Sequence, residues 1–278
     1  MPTLISGQLD EIAPGIRRLV ANNASYLTGP GTNTYLIGRE SHIVLDPGPI
    51  DALHIERILT ASARKISAVL VTHTHRDHSP AAAMLADITG ARLLGRPPPD
   101  DSHQDTTFTP STVLSDGDEV EIDGLRLRAV HTPGHASNHL CYVIDDMGLI
   151  FTGDHLMQGS TVVIAPPDGN MRQYLQSLHR LREEPVSRIA PGHGSTIEDA
   201  QAEIARIVAH RLQREAKVIA CLAAAGIAGI DGLLSTVYDD VDPRLHALAR
   251  SSLLAHLIKL EEEGHACRTA DGNWQCRN

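Results

Sequence analysis

Residues 72–78 read Thr-His-Thr-His-Arg-Asp-His and directly follow the apolar run Ala68-Val69-Leu70-Val71. His73, His75, Asp77 and His78 therefore place four cation-binding groups within six residues, where a strand ends and a helix is about to begin. In extended chain, residues two apart point the same way, so His73 and His75 can reach one ion together. As the chain turns, Asp77 and His78 are aimed at a second. Zinc accepts imidazole nitrogen and carboxylate oxygen at about 2.0–2.2 Å, and a hydrolytic site leaves a coordination position open for water. The bland alternative is a histidine-rich surface turn, but HxHxDH at the end of an apolar strand is a rare arrangement for one.

Three later segments repeat the pattern of a strand ending in a glycine-containing turn that carries His or Asp. They are His131-Thr132-Pro133-Gly134-His135, Phe151-Thr152-Gly153-Asp154-His155 and Pro191-Gly192-His193-Gly194. Glycine lets backbone approach a crowded centre that a Cβ would block. Each segment alone is a weak signal; together with the first they supply enough ligands for two ions.

The elements that must hold these groups are short apolar strands alternating with helices, an α/β pattern. Strands are expected over 33–37, 42–45, 68–72, 125–130, 139–144 and 149–152, each bounded by Gly, Pro or Asp. Helices are expected over 52–63, 80–88 and 171–183, the last capped by Asp168 or Asn170. Strands such as Ala-Val-Leu-Val lack polar alternation, so both their faces should be covered. Residues 92–114, with the run Arg-Pro-Pro-Pro-Asp-Asp-Ser, read as a surface loop. From 197 the character changes: helices over 197–224, 230–238 and 244–263 precede a hairpin over 264–276, turning at Asp271-Gly272. This suggests a catalytic unit over 1–196 and a small winged-helix-like unit over 197–278. A two-residue turn would set Cys267 opposite Cys276, close enough for a reversible disulfide.

HTHRDH, TPGH, TGDH and PGHG, in that order, resemble the metallo-β-lactamase superfamily over roughly residues 15–195. The resemblance implies a four-layer αββα sandwich with metal ions at one edge of the two sheets. GPGTNTYLIG at 29–38, STVVIAPPDGNM at 160–171 and the tail are similar to the branch named after β-lactamase-like protein 2. That branch includes a single-strand-specific endoribonuclease, and related sequences act as thioesterases. The tail departs from that of glyoxalase II. Carried over position by position, the resemblance assigns His73, His75 and His135 to a first metal, Asp77, His78 and His193 to a second, and Asp154 to a bridge between them. It implies a dinuclear hydrolase, with zinc as the expected ion and a bridging hydroxide as nucleophile. Asp77 would orient that nucleophile or pass a proton to the leaving group. His131, His139 and His155 lie beside these residues without a ligand role and are expected either to be structural or to fix a ligand's tautomer by a hydrogen bond.

Composition narrows the partners. The net charge is −10 and aromatics make up 3%, which argues against DNA or a membrane surface and against base stacking. From Glu198 to Asn278 there are nine Lys and Arg against twelve Asp and Glu, so the tail is expected to cover the active-site edge or form a homodimer rather than grip phosphate. A small-molecule ester, thioester or lactone is the expected substrate. Single-stranded RNA is the alternative, served by a basic cleft of Arg17, Arg18, Lys65, Arg76 and Arg92. A non-catalytic metal scaffold is a third reading, which a full set of seven ligands disfavours. Without CxxC pairs, an N-terminal signal or a long apolar run, a cytoplasmic location is expected.

Overall fold

The computed structural model describes residues 4–277. Its order is β1 (Leu9–Ala13), β2 (Ile16–Val20), β3 (Asn33–Ile37), β4 (His42–Leu45), α1 (Ala52–Ala61), β5 (Ile66–Leu70), α2 (Ala81–Thr89), β6 (Arg92–Gly95) and β7 (Thr112–Val113). There follow β8 (Glu119–Ile122), β9 (Leu125–His131), β10 (Leu140–Ile144), β11 (Leu149–Gly153), α3 (Met171–Leu181) and β12 (Arg188–Pro191). The tail holds α4 (Ala200–Ala225), β13 (Ile227–Ala228), α5 (Ile230–Val237), α6 (His246–Glu262), β14 (Ala266–Arg268) and β15 (Trp274–Cys276).

Strands β1 to β7 lie side by side in chain order in one sheet; β12-β11-β10-β9-β8 form the second. Strand alternation sorts their side chains between layers. Tyr35, Ile37, Ile43, Leu45 and Leu70 point inward against Leu127, Ala129, Tyr142 and Phe151 of the other sheet. The intervening Leu36, Val44 and Val69 face outward and are covered by Ile55, Ile58 and Leu59 of α1 and Leu85 of α2. On the second sheet Val130, Cys141, Val143, Ile150 and Ile189 meet α3 and the first half of α4. This is the expected αββα sandwich, and the double coverage explains why its central strands carry no polar alternation. A fourth core, with Val218, Leu222, Leu233, Leu253, Leu257 and Trp274, builds the winged helix at the C-terminal end. Among the described residues no helix is long and apolar enough to cross a membrane.

Two expectations need correction. Residues 92–114 are not simply a surface loop: their ends pair as β6 and β7. Between them Phe108, Gln104 and Asp105 are buried. The polar groups there are satisfied by the motif loop at 72–78 rather than by solvent. The Asp105 N–H donates to the Thr74 carbonyl at 2.6 Å and the Thr74 hydroxyl to Gln104 Oε1 at 2.6 Å. The second correction is the terminal hairpin. Its loop has three residues, closed by Thr269 N–H to the Asn273 carbonyl, with Gly272 at φ 77°. The register is thereby one step from the expected one. Cys267 pairs with Gln275 and Cys276 with Ala266, so the two thiols point to opposite faces of the hairpin and cannot bond. All four cysteines are free.

Candidate metal centre

The expected site residues come from several places in the chain and converge at one edge of the sandwich. β5 delivers the 72–78 loop, β9 the turn with His135, β11 Asp154 and β12 His193. They gather into two groups of potential ligands: His73, His75 and His135 in one, Asp77, His78, Asp154 and His193 in the other. Within each group the donor atoms lie within 4.8 Å of one another. His75 Nδ1 stands 3.0 Å from His73 Nε2 and 2.9 Å from His135 Nε2. Asp154 reaches both groups with different oxygens. Its Oδ1 is 3.3 Å from His78 Nε2 and 3.2 Å from His193 Nε2, and its Oδ2 is 3.7 Å from His135 Nε2. Donors on a tetrahedral ion at zinc-like distances stand roughly 3.3–3.6 Å apart; the 3.2–3.7 Å spacings around Asp154 lie close to this, and the 2.9–3.0 Å spacings of the first group fall short of it.

A second test concerns atoms that have no other employment. His78 Nε2, His193 Nε2 and Asp154 Oδ1 are buried and have no hydrogen-bond partner. They face one another at 3.2–3.3 Å as ion pairs without hydrogen bonds, and a bound cation would satisfy all three at once. The opposite nitrogens, by contrast, are occupied. His135 Nδ1 faces the Val163 carbonyl at 2.8 Å, His193 Nδ1 the Gly31 carbonyl at 3.2 Å and His73 Nδ1 the Thr72 hydroxyl at 3.0 Å. These contacts favour the tautomer that presents a bare Nε2 to the centre.

The sequence reading overlooked Asp46, at the end of β4. Its Oδ1 accepts the Thr72 N–H at 2.7 Å, while Oδ2 accepts the Thr72 hydroxyl at 2.7 Å and faces His78 Nδ1 at 2.9 Å. It thus braces the start of the motif and orients one candidate ligand. A Leu-Asp-Pro-Gly strand end was the only available signal, and it reads equally well as a turn. Asp168 does more than its place before α3 implies. Asn170 caps α3, accepting from the Gln173 N–H, while Asp168 accepts the Ser137 N–H two residues beyond His135. His139 and His155 are fully buried beside the site. His139 Nδ1 meets the Thr132 hydroxyl, but both ring nitrogens of His155 lack partners, so neither ring hydrogen-bonds a candidate ligand. His131 bonds the Ser137 carbonyl.

Charge divides the two groups. Burial, then the neighbouring imidazoles, holds His73 well below its ordinary pKa. His75 is pushed down to about 3, chiefly by burial and by His135. His73 and His75 are accordingly neutral and ready to donate lone pairs. In the second, burial opposes charge but the mutual attraction of carboxylates and imidazoles wins. Asp77, Asp154 and Asp46 hold His78 well above its usual value, and Asp154 and Asp77 lift His193 to about 9. His193 and His78 in turn hold Asp154 well below the carboxylate range, and His78 and His193 hold Asp77 at about 2. The carboxylates demand positive charge at this spot, which protons supply when no metal does.

A cavity of about 730 Å³ opens on the two groups, with His75, Asp77, His135 and Asp154 in its wall. Asp77 is the more accessible of the two candidate carboxylates, its side chain 30% exposed against 13% for Asp154. The far side is built by the tail, through Tyr238, Leu245 and Leu248. Of the five cations expected to form a basic cleft, only Arg76 lines this cavity; Arg17 and Lys65 border a separate depression, and Arg18 pairs with Asp10.

Comparison with known proteins agrees with this fold. A "Beta-lactamase-like protein 2 homolog" from Drosophila melanogaster is 29% identical over 270 residues, covering 91% of this chain and 90% of that one. An "Atrochrysone carboxyl ACP thioesterase" from Aspergillus chevalieri is 33% identical over 221 residues, covering 77% and 68%. Among solved structures, a metallo-beta-lactamase family protein from Thermus thermophilus superposes with a TM-score of 0.80 at 21% identity, over 96% of this chain and 100% of that one. A beta-lactamase domain protein from Burkholderia ambifaria gives 0.81 at 22%, over 99% and 95%. The profile of the beta-lactamase associated winged helix domain matches residues 230–274. That of the metallo-beta-lactamase superfamily matches residues 27–193, which contain all seven candidate ligands, and the chain belongs to that superfamily.

Proposed function

We propose that this hydrolase of the metallo-beta-lactamase superfamily is dinuclear, holds zinc, and cleaves a small acyl thioester or related ester. The observation that carries the reading is Asp154, whose two oxygens address two separate ligand groups. His73, His75 and His135 would hold one ion and Asp77, His78 and His193 the other, with Asp154 shared. Five imidazoles and two carboxylates without thiolate form a donor set that suits zinc. Bound divalent ions would polarise the carbonyl oxygen and bring a water to nucleophilic strength near neutral pH.

The chain's own residues do the rest. Asp77, ionised at neutral pH and open to the cavity, would accept a proton from the attacking water and return it to the departing thiolate or alkoxide. The Val163 carbonyl, Asp46 and the Gly31 carbonyl keep His135, His78 and His193 in a fixed orientation. Met157, Val162, Leu245 and Leu248 supply an apolar lining for an acyl chain and limit water around the reacting bond. Thioester chemistry is preferred over cleavage of a nucleic-acid strand because the cavity brings only Tyr26 and Tyr238 as stacking rings for bases. The thioesterase name of the Aspergillus chevalieri relative supports the same choice.

The test is a panel assay of zinc-loaded protein on an acyl thioester, a lactone, a β-lactam, a phosphodiester and a short single-stranded RNA. We expect kcat/KM on the thioester to exceed that on the β-lactam and phosphodiester by about 100-fold or more, roughly 3 kcal/mol of transition-state discrimination. Efficient RNA cleavage with inert thioester would reverse the assignment.

A further inference from the structure

The buried stripe of α4 runs Ala200, Ile204, Ile207, Arg211, Arg214, Val218, Leu222. This three- and four-residue spacing is that of an apolar seam, yet two of its positions are arginine. Arg214 is accounted for, since Asp240 takes it with both oxygens at 2.7 and 2.9 Å and the Val237 carbonyl takes it too. Arg211 is not. It is 2% exposed, donates from Nη2 to the Val162 carbonyl at 2.5 Å and lies 5.3 Å from the centre of the Tyr174 ring. Its Nε is buried without a partner, and among the described residues no carboxylate pairs with it. Glu215, one turn along, is taken by His256 and Lys259. A buried guanidinium answered only by neutral groups is retained at a cost unless something negative completes it.

Arg211 lines the same cavity as the candidate metal centre. Two other residues that line it also carry a buried polar atom without a partner: Tyr238, 6% exposed, at its hydroxyl, and His210 at Nδ1, a donor in the tautomer protonated there. We propose that Arg211, with Tyr238 and His210 beside it, receives an anionic group of the substrate, a carboxylate or a phosphate oxygen, while the reacting carbonyl sits at the metal edge. A planar guanidinium in a dry wall is the group best suited to such an oxyanion. The substrate class is then an anionic acyl thioester, with the charge on either the acyl or the thiol side. The proposal rests on the thioester reading for the reacting bond but not for the anion site itself.

Two measurements separate these. The first is calorimetric binding of glutarate and of inorganic pyrophosphate to the zinc-loaded protein and to Arg211→Gln and Tyr238→Phe. Anions held only by the metals bind all three proteins alike. We expect Arg211→Gln to weaken at least one probe tenfold or more. Tyr238→Phe, which removes a hydroxyl with no partner and so leaves packing intact, should weaken it three- to tenfold. Unchanged Kd for both probes in Tyr238→Phe and in a folded Arg211→Gln overturns the anion site, whatever the protein hydrolyses. The second compares kcat/KM on the butyryl and glutaryl thioesters of N-acetylcysteamine and on butyryl-coenzyme A. Loss of preference for glutaryl over butyryl in Arg211→Gln places the anion on the acyl side; loss of preference for the coenzyme A thioester places it on the thiol side. If no thioester is cleaved, the functional reading falls and the binding constants still decide the site.

Discussion

At the scale of single residues, Asp154 and His155 are neighbours in sequence with separate duties. Asp154 offers an oxygen to each ligand group, so Asp154→Ala should weaken both ion sites at once. His155 is fully buried, touches no candidate ligand through a hydrogen bond and packs 4.7 Å from the Tyr174 ring. His155→Ala removes packing, which we expect to cost about 2–3 kcal/mol of stability while about two ions per chain remain bound. Asp154→Ala should bind fewer than about one and lose hydrolysis by three orders of magnitude or more. Elemental analysis beside a denaturation curve reads both effects; equal metal loss in two folded variants would count against the bridge. Four of the seven candidate ligands stand out in the sequence because they sit in one motif, while His135, Asp154 and His193 lie in glycine-containing turns after apolar runs and take their places from the resemblance. Asp46 and Arg211 were not legible in the same way. Asp46 acquires its role only when β4 and β5 lie side by side and bring it to Thr72 and His78. Arg211 looks like a solvated helix position until the neighbours that bury it are known.

At the scale of elements, the turns that follow the strands are held by close backbone contacts, and Gly134 shows how tightly. Its φ is 137°, and a Cβ there would stand 2.3–2.5 Å from the backbone and Cβ of Tyr174 on α3. The neighbouring contact is part of the same dock, since the Asn170 N–H donates to the Gly134 carbonyl at 2.8 Å. Gly134→Ala must therefore push His135 and α3 apart. Gly159 is the control, with φ 69° but nothing within 4 Å. We expect urea denaturation to show about 1 kcal/mol lost in Gly159→Ala and about 2–4 kcal/mol in Gly134→Ala, with metal loss only in the latter. Similar costs at both positions would mean that the turn is free to move. The elements legible in the sequence were those with continuous apolar runs, such as β3, β5 and β11. β1 and β2 escaped notice because Leu-Asp-Glu-Ile-Ala and Ile-Arg-Arg-Leu-Val mix charge with apolar residues, as befits an edge strand and its neighbour. The hairpin register escaped because it depends on Gly272 taking a left-handed φ and adding a third loop residue, which composition does not specify.

At the scale of the molecule, the tail and the sandwich share a helix. The first half of α4 places Ile204, Ile207 and Val208 in the same core as Val130, Val143 and Ile150 of the second sheet, and Ala255 of α6 joins them. Its second half carries Val218 and Leu222 into the winged-helix core. The 160–165 segment is gripped from three sides: Arg211 holds the Val162 carbonyl, His135 the Val163 carbonyl, and the Ser252 hydroxyl accepts the Ile164 N–H at 3.3 Å. A wall of the cavity and an orienting contact of a candidate ligand thus depend on α4 and α6 together. Burial of three branched aliphatic side chains is worth roughly 5–9 kcal/mol, much of the roughly 5–15 kcal/mol that usually holds a domain together. A chain ending at residue 196 should therefore be soluble only poorly or unfold at far lower urea. A chain ending at 226 keeps those contacts and Arg211, and it loses Tyr238, Leu245 and Leu248. It should still bind metal, less tightly for want of the Ser252 contact on the 160–165 segment that orients His135, while its KM for an acyl thioester rises by about tenfold, equivalent to about 1.4 kcal/mol of lost binding. Urea midpoints and steady-state kinetics of the two truncations check this. A 1–196 chain with an unchanged midpoint would show that α4 adds nothing to the sandwich. An unchanged KM in the 1–226 chain would show that substrate never touches the winged helix.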